Sequence, residues 1–274
     1  LDGAWLAKQG GGHKFSHGAA IIIAGDVGTG GAARLSARAA LRIGAGLVTI
    51  CPTSGAMPEH AGTPDALMRK PVDTAEDLAA LLRDDRTGAL CIGPGCGIDR
   101  AAILLPTLLG SQIPAVLDAD ALTAYAKTPF LPLHKNCVLT PHMGEFTRLF
   151  PDLAQRLKEA AQNGPAFSKL DAVRLAARRA GAVVLLKGPD TVIADPTGLA
   201  TLHSAFDIPW LATAGAGDVL AGIIAGLLAR GQSAFDAARL GTALHAKVAR
   251  HVGPGLIADD VPDQLPAIIK AEWT

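Results

Sequence analysis

Apolar residues run through this chain in short unbroken blocks set off by glycine, proline and charged turns. The blocks are "AAIIIAG" (19–25), "LVTI" (47–50), "GALCIG" (88–93), "PAVLDAD" (114–120), "NCVLT" (136–140) and "AVVLLKG" (182–188). Such runs are too short for helices and too uniformly apolar for strands with a wet face, so they read as strands buried on both sides. Between them the apolar positions fall into a helical repeat at 32–46, 98–109, from about 145 onward, and at 171–181, 216–230 and 233–251. "TVIAD" and "LATLH" flank Pro196-Thr197-Gly198 and predict a hairpin. Strands alternating with helices predict an α/β chain, a three-layer α/β/α sandwich around a mostly parallel central sheet. "QNGPAFSK" (162–169) is the most loop-like interior stretch, too short to divide domains, so residues 1–274 are expected to form one domain.

In an open parallel sheet, ligands bind beyond the carboxyl ends of the strands. The unusual residues of this chain collect there. Gly25-Asp26-Val27-Gly28-Thr29-Gly30-Gly31 follows the first strand and Gly93-Pro94-Gly95-Cys96-Gly97 another. Asp118 and Asp120 end a third, "PHMGE" with His142 and Glu145 follows a fourth, and Lys187-Gly188 ends a fifth. Glycines at such positions let backbone N–H groups approach an anion. Neither G-x-G-x-x-G nor G-x-x-x-x-G-K-[ST] is present in full, so a nucleotide site here is of another type.

Composition narrows the picture mainly by exclusion. The 274 residues are 49% hydrophobic, enough for a large core, and Lys plus Arg equals Asp plus Glu at 25 each. That balance gives no electrostatic reason to expect nucleic acid or an anionic membrane as partner. Cys51, Cys91, Cys96 and Cys137 form no C-x-x-C pair and no zinc spacing, and read as buried thiols in a reducing compartment. The N-terminal stretch lacks the apolar core of a signal peptide, and the longest apolar run (219–229) is too short to span a bilayer. A soluble, cytoplasmic protein is expected.

"ATAGAGDVLAG" carries the sharpest chemistry. Gly215, Ala216 and Gly217 precede a long apolar helix whose N-terminus offers free N–H groups and the positive end of its dipole, a natural seat for phosphate. Asp218 falls in the first turn. Asp is common there as a cap, yet a lone carboxylate at the mouth of a buried helix, beside an anion cradle, is also placed to take a proton from a hydroxyl attacking a phosphoryl group.

Taken together, "HKFSHGAAIIIAGDVGTGGAARLSARAALRIGAGLVT", "IGPGCG", "VLDADAL", "LTPHMGEFTRL", "VVLLKGPDTVIADPTG" and "WLATAGAGDVLAGIIAGLLARG" resemble, in order, the NAD(P)H-hydrate dehydratase family of the ribokinase-like superfamily. The resemblance covers residues 13–257. It implies a ribokinase-like fold and a metabolite-repair lyase that uses ADP, or ATP, to dehydrate the (S)-hydrates of NADH and NADPH, with Mg²⁺. It implies Asp218 as catalytic base and Gly215, Ala216 and Gly217 as an anion hole. Lys187, Gly188, Pro189, Asp190 and Thr191 would contact the nucleotide together with Gly217. Ala40, Gly97, His142 and Asp218 would contact the hydrate, and Glu145 would act on the metal indirectly, because His142 stands where related kinases carry Asn. It further implies a homotetramer and an NAD(P)HX epimerase as partner, fused upstream in many bacterial relatives.

Three features depart from the family pattern. Ala216 replaces a frequent Thr or Ser, Met143 replaces a common Pro, and "FDIPW" stands where relatives carry a Gly-Asn pair. Two other functions remain open on the residues: a small-molecule kinase acting on a vitamin-precursor alcohol, which the G-A-G-D loop alone does not separate, and a non-catalytic nucleotide-binding sensor, which has no need of Asp218.

Overall fold

The computed structural model describes residues 8, 11–128, 131–161 and 164–273. Nine strands make one sheet: β1 (Ala19–Ile23), β2 (Leu47–Cys51), β3 (Met68–Arg69), β4 (Thr87–Ile92), β5 (Ala115–Leu117), β6 (Cys137–Leu139), β7 (Val183–Leu186), β8 (Asp190–Ala194) and β9 (Ala200–Ser204). Their spatial order is β3-β2-β1-β4-β5-β6-β7-β8-β9. Pairings from β3 through β7 are parallel, and β8 and β9 are added antiparallel. The helices are α1 (Gly30–Arg42), α2 (Ala75–Leu81), α3 (Ile98–Gly110), α4 (Ala119–Lys127), α5 (Met143–Leu149), α6 (Pro151–Arg156), α7 (Lys169–Ala180), α8 (Ala216–Ala229), α9 (Ala234–Val252) and α10 (Asp260–Trp273).

Strand alternation sorts the core into two layers. Ala20, Ile22, Val48, Ile50, Cys91 and Val116 face one side, where they pack with α1, α8, α9 and α10. Ile21, Ile23, Leu90, Ile92 and Leu117 face the other, with α3, α4, α5 and α7. The three-layer sandwich and the hairpin are as the sequence predicts, and all four cysteines are buried and free. Residues 162 and 163 of the loop-like stretch, and most of 1–10, lie outside the described residues.

The strand expected at 114–120 is shorter. It ends at Leu117 because Asp118 is the N-cap of α4, and the chain turns through Ala119 at φ 44°. α8 is buried along the whole stretch 219–229, as a helix apolar on every side must be. It lies backbone-close on α1: a Cβ at position 222 would stand 2.1 Å from the Ser36 carbonyl oxygen, so only glycine fits.

Candidate active site

The strand order β2-β1-β4-β5 reverses direction between β1 and β4, the switch point at which open sheets bind ligands. α8 brings its N-terminus to this edge. Its N-cap, Gly215, takes φ 89°, and a Cβ there would meet Leu35 Cδ1 at 2.7 Å and Ala258 Cβ at 2.8 Å. Among the described residues no side-chain cap closes the first turn. The Ala216 N–H is taken by the Thr213 carbonyl at 3.3 Å, so of the anion hole expected at Gly215, Ala216 and Gly217 the two glycine N–H groups are the ones left to form an anion cradle.

Asp218 sits in this turn without serving as a cap. Its main-chain carbonyl is held by Ser36 Oγ at 2.7 Å. Its carboxyl is pushed up to about 6, first by burial and then by the Asp118 carboxylate, with Asp120 and Glu145 adding and Lys187 opposing. Such a group is mostly ionised near neutrality yet a far better proton acceptor than an ordinary aspartate.

Lys187 leaves β7 with its N–H on the Pro141 carbonyl (2.8 Å). Its side chain is not free in solvent. Its Nζ pairs with Asp118 Oδ1 at 2.6 Å, while Thr140 Oγ1 donates to the same oxygen at 2.8 Å. Asp118 is 1% exposed, so the pair is part of the frame. The ammonium nonetheless reaches the cradle, lying 3.4 Å from where a Cβ on Gly217 would be. Gly93 seats Asp118, because a Cβ there would come within 1.7 Å of the Asp118 carbonyl oxygen.

His142 and Glu145 form a reciprocal cap on α5. His142 Nδ1 accepts from the Gly144 N–H at 2.9 Å, and Glu145 Oε2 accepts from the His142 N–H at 2.8 Å. His142 is exposed, with its Nε2 3.5 Å from Glu145 Oε1, and Glu145 is buried. Gly97, at φ 85°, is exposed and donates its N–H to Asp120 Oδ2 at 2.9 Å. Gly97 also lines a second cleft, of about 820 Å³, that runs past Cys96 to Asp26, Asp73 and Arg100.

The turn from β7 to β8 forms one wall of a cleft of about 540 Å³. Lys187, Gly188, Thr191, Ala216 and Gly217 line it. Thr191 Oγ1 donates to the Gly188 carbonyl at 3.0 Å. Pro189 and Asp190 do not line the cleft; their carbonyls accept from the Ala205 N–H and the Lys169 ammonium. Ala40, expected at the hydrate, does not line either cleft. It is fully buried in α1 where α8 crosses, and its carbonyl oxygen would stand 2.9 Å from a Cβ at position 226, well down the helix from the ligand edge. Sequence reasoning missed His203, Thr242 and His245 in the cleft. The one signal available was the i, i+3 spacing of Thr242 and His245, which places them on one face of α9.

Comparison with known proteins agrees with this geometry. A family model described as NAD(P)H-hydrate dehydratase matches residues 20–269. The bifunctional NAD(P)H-hydrate repair enzyme Nnr of Coxiella burnetii is 36% identical over 94% of this chain and 51% of its own length, so the chain spans about half of that relative. The ADP-dependent (S)-NAD(P)H-hydrate dehydratase of Xanthomonas campestris is 33% identical over 94% of this chain and 90% of its own. The ADP/ATP-dependent NAD(P)H-hydrate dehydratase of Bacillus subtilis, co-crystallised with ATP and Mg²⁺, superposes with a TM-score of 0.80 at 25% identity, covering 97% of this chain and 94% of that one. With its ribokinase-like sheet and an aspartate set in a glycine cradle, the chain belongs to the NAD(P)H-hydrate dehydratase family.

Proposed function

We propose that this chain repairs hydrated nicotinamide cofactors, using ADP to dehydrate the (S)-hydrate of NADH or NADPH and releasing AMP and phosphate. The observation that carries this is Asp218, a half-buried carboxyl pushed up to about 6 beside an anion cradle and the Lys187 ammonium. The nucleotide lies in the cleft of Lys187, Gly188, Thr191 and Gly217, with its terminal phosphoryl group in the cradle. The hydrate ring approaches over His142, and the rest of the dinucleotide runs past Gly97 toward Asp26 and Asp73.

Asp218 takes the proton of the ring hydroxyl as its oxygen attacks the terminal phosphorus and AMP leaves. The cradle N–H groups and Lys187 stabilise the charge spread over the transferring group. Phosphate is a better leaving group than hydroxide. The ring nitrogen lone pair expels it, and loss of a proton from the neighbouring carbon restores the dihydronicotinamide.

Among the described residues no three His, Cys, Asp or Glu side chains form a ready metal cage. Magnesium does not require one, because it commonly binds through one or two carboxylates and the substrate phosphates. Asp120, whose charge reaches Asp218, is the carboxylate that would hold it, with Glu145 acting indirectly because its oxygens are engaged by His142, and when bound it would neutralise phosphate charge.

The same reading includes a homotetramer in the cytoplasm, with an NAD(P)HX epimerase as fused or separate partner. The bifunctional relatives, about twice as long as this chain, support the partner. Light scattering that finds only monomer would remove the tetramer. The decisive experiment incubates the protein with the purified (S)-hydrate of NADH, ADP and Mg²⁺ and follows dihydronicotinamide absorbance. Its return, stoichiometric with AMP, supports the proposal; a stable phosphorylated alcohol would indicate a kinase, and binding without turnover a sensor.

A further inference from the structure

The first turn of α8 has little of its own to hold it. Gly215 and Gly217 favour no helix, and no side-chain cap closes the turn among the described residues. A conventional cap would accept from the N–H of Gly217 or Asp218. Gly217 lines the nucleotide cleft, where a phosphoryl group needs that N–H. A fastening that leaves the donors to the ligand has to grip the turn by a carbonyl.

Ser36 does this from α1. It is fully buried, and its Oγ stands 2.7 Å from the Asp218 carbonyl oxygen and 3.1 Å from that of Ala32. A hydroxyl has one proton to give. A serine inside a helix can return it to the carbonyl four residues back. Ser36 has that partner in Ala32, yet lies closer to Asp218, 182 positions along the chain. Ala33 and Ala40, three before and four after it on the same face of α1, are buried as completely. An alanine at position 36 would fill the space almost as well, so packing does not call for the hydroxyl.

We propose that Ser36 is a positioning residue for the proton transfer. Its hydroxyl fixes the main chain of Asp218, and so the root of the carboxyl, beside the transferring phosphoryl group, and it occupies none of the N–H groups that the phosphoryl group uses. This rests on the reading of Asp218 as base, and it adds the residue through which α1 takes part in the reaction.

Ser36→Ala removes one oxygen and adds nothing. Its kcat for hydrate dehydration should fall by about tenfold, between the effect of one lost hydrogen bond and the roughly 10²-fold of a 1 Å misplacement. KM for the hydrate and the calorimetric affinity for ADP should stay within about threefold, because the Lys187–Thr191 turn is untouched. Asp218→Asn supplies the control. With no carboxylate to place, adding Ser36→Ala should change the residual turnover by less than about twofold, the usual error of additivity. A hydroxyl that only joins the two helices would cost activity equally in both backgrounds, or lower stability and leave kcat per folded molecule unchanged; either result overturns the assignment. Ser36→Cys keeps the reach of the side chain with a weak donor, should fall between wild type and Ser36→Ala, and carries the same comparison if Ser36→Ala does not fold. Near-wild-type turnover of Asp218→Asn overturns Asp218 as base and Ser36 with it. A slow Asp218→Asn beside an unchanged Ser36→Ala overturns Ser36 alone.

Discussion

Asp218→Asn separates catalysis from stability in one substitution. The wild-type carboxyl rises from 3.8 to about 6 in the folded protein, chiefly by burial and by Asp118. A raised pKa means the native state holds the proton more tightly than the unfolded chain does. Stability contributed by the protonated form is therefore full below about 3.8 and is lost as pH rises through about 6. A shift of roughly two units at 1.36 kcal/mol each puts the cost of the ionised group at up to about 3 kcal/mol. Partial exposure of the carboxyl, and the need of an Asn amide for partners, bring the expected net gain to about 1–2 kcal/mol. Asp218→Asn should thus be more stable than wild type by that amount at pH 8, and the difference should vanish near pH 4. Urea unfolding of both proteins at the two pH values measures it. Over the same change, turnover at neutral pH should fall by about 10²-fold or more, the usual loss for a general base. A variant no more stable at pH 8, or one whose gain is the same at both pH values, would refute the account of a strained, functional carboxylate.

Three further outcomes are expected. Turnover should rise with pH along a limb of apparent pKa near 6, as Asp218 loses its proton; residual activity of Asp218→Asn that keeps this limb would assign it to another group. Lys187→Ala should destabilise the fold by about 3–5 kcal/mol because it strands the buried Asp118, and Asp118→Asn combined with Lys187→Met should recover most of that; urea melts of the single variant that match wild type count against the pair as a frame. The hydrate of NADH should be used with higher kcat/KM than that of NADPH, since the second cleft carries Asp26 and Asp73, both held ionised by hydrogen bonds from the Val27 N–H and Thr53 and from Ser54, and repels an added phosphate; equal use of the two would remove those carboxylates from substrate selection.

The parts of the fold legible in the sequence are those where one physical requirement dominates. A strand buried on both faces has to be apolar throughout, and "AAIII", "VVLL" and the all-apolar α8 announce themselves. Elements whose sequence serves two ends are harder to read. α10 contains Pro266 and a mixed surface; β3 is two residues at the sheet edge; α4 begins on the aspartates that resemble a strand terminus. At the site, Asp218 and its cradle are contiguous and so visible. The Lys187–Asp118 pair joins residues 69 apart, and nothing local marks it. Ala40 entered through the resemblance alone, and nothing local marks that its side chain is buried in α1.

The glycine contacts of α8 with α1 bear on how finely the carboxylate is aimed. Gly222 and Gly226 lie about 6 and 12 Å along the helix axis from Asp218. There Gly222 meets the Ser36 backbone, and Gly226 meets the Ala40 backbone beside the Ile43 side chain. The main-chain part of these contacts, complete at Gly222, has no rotamers to exchange and no side chain to yield. The proton-accepting oxygen therefore inherits its tolerance from a seam one to two turns away, fixed by the absence of atoms. The Ala40 backbone is one of the datum points from which that aim is set.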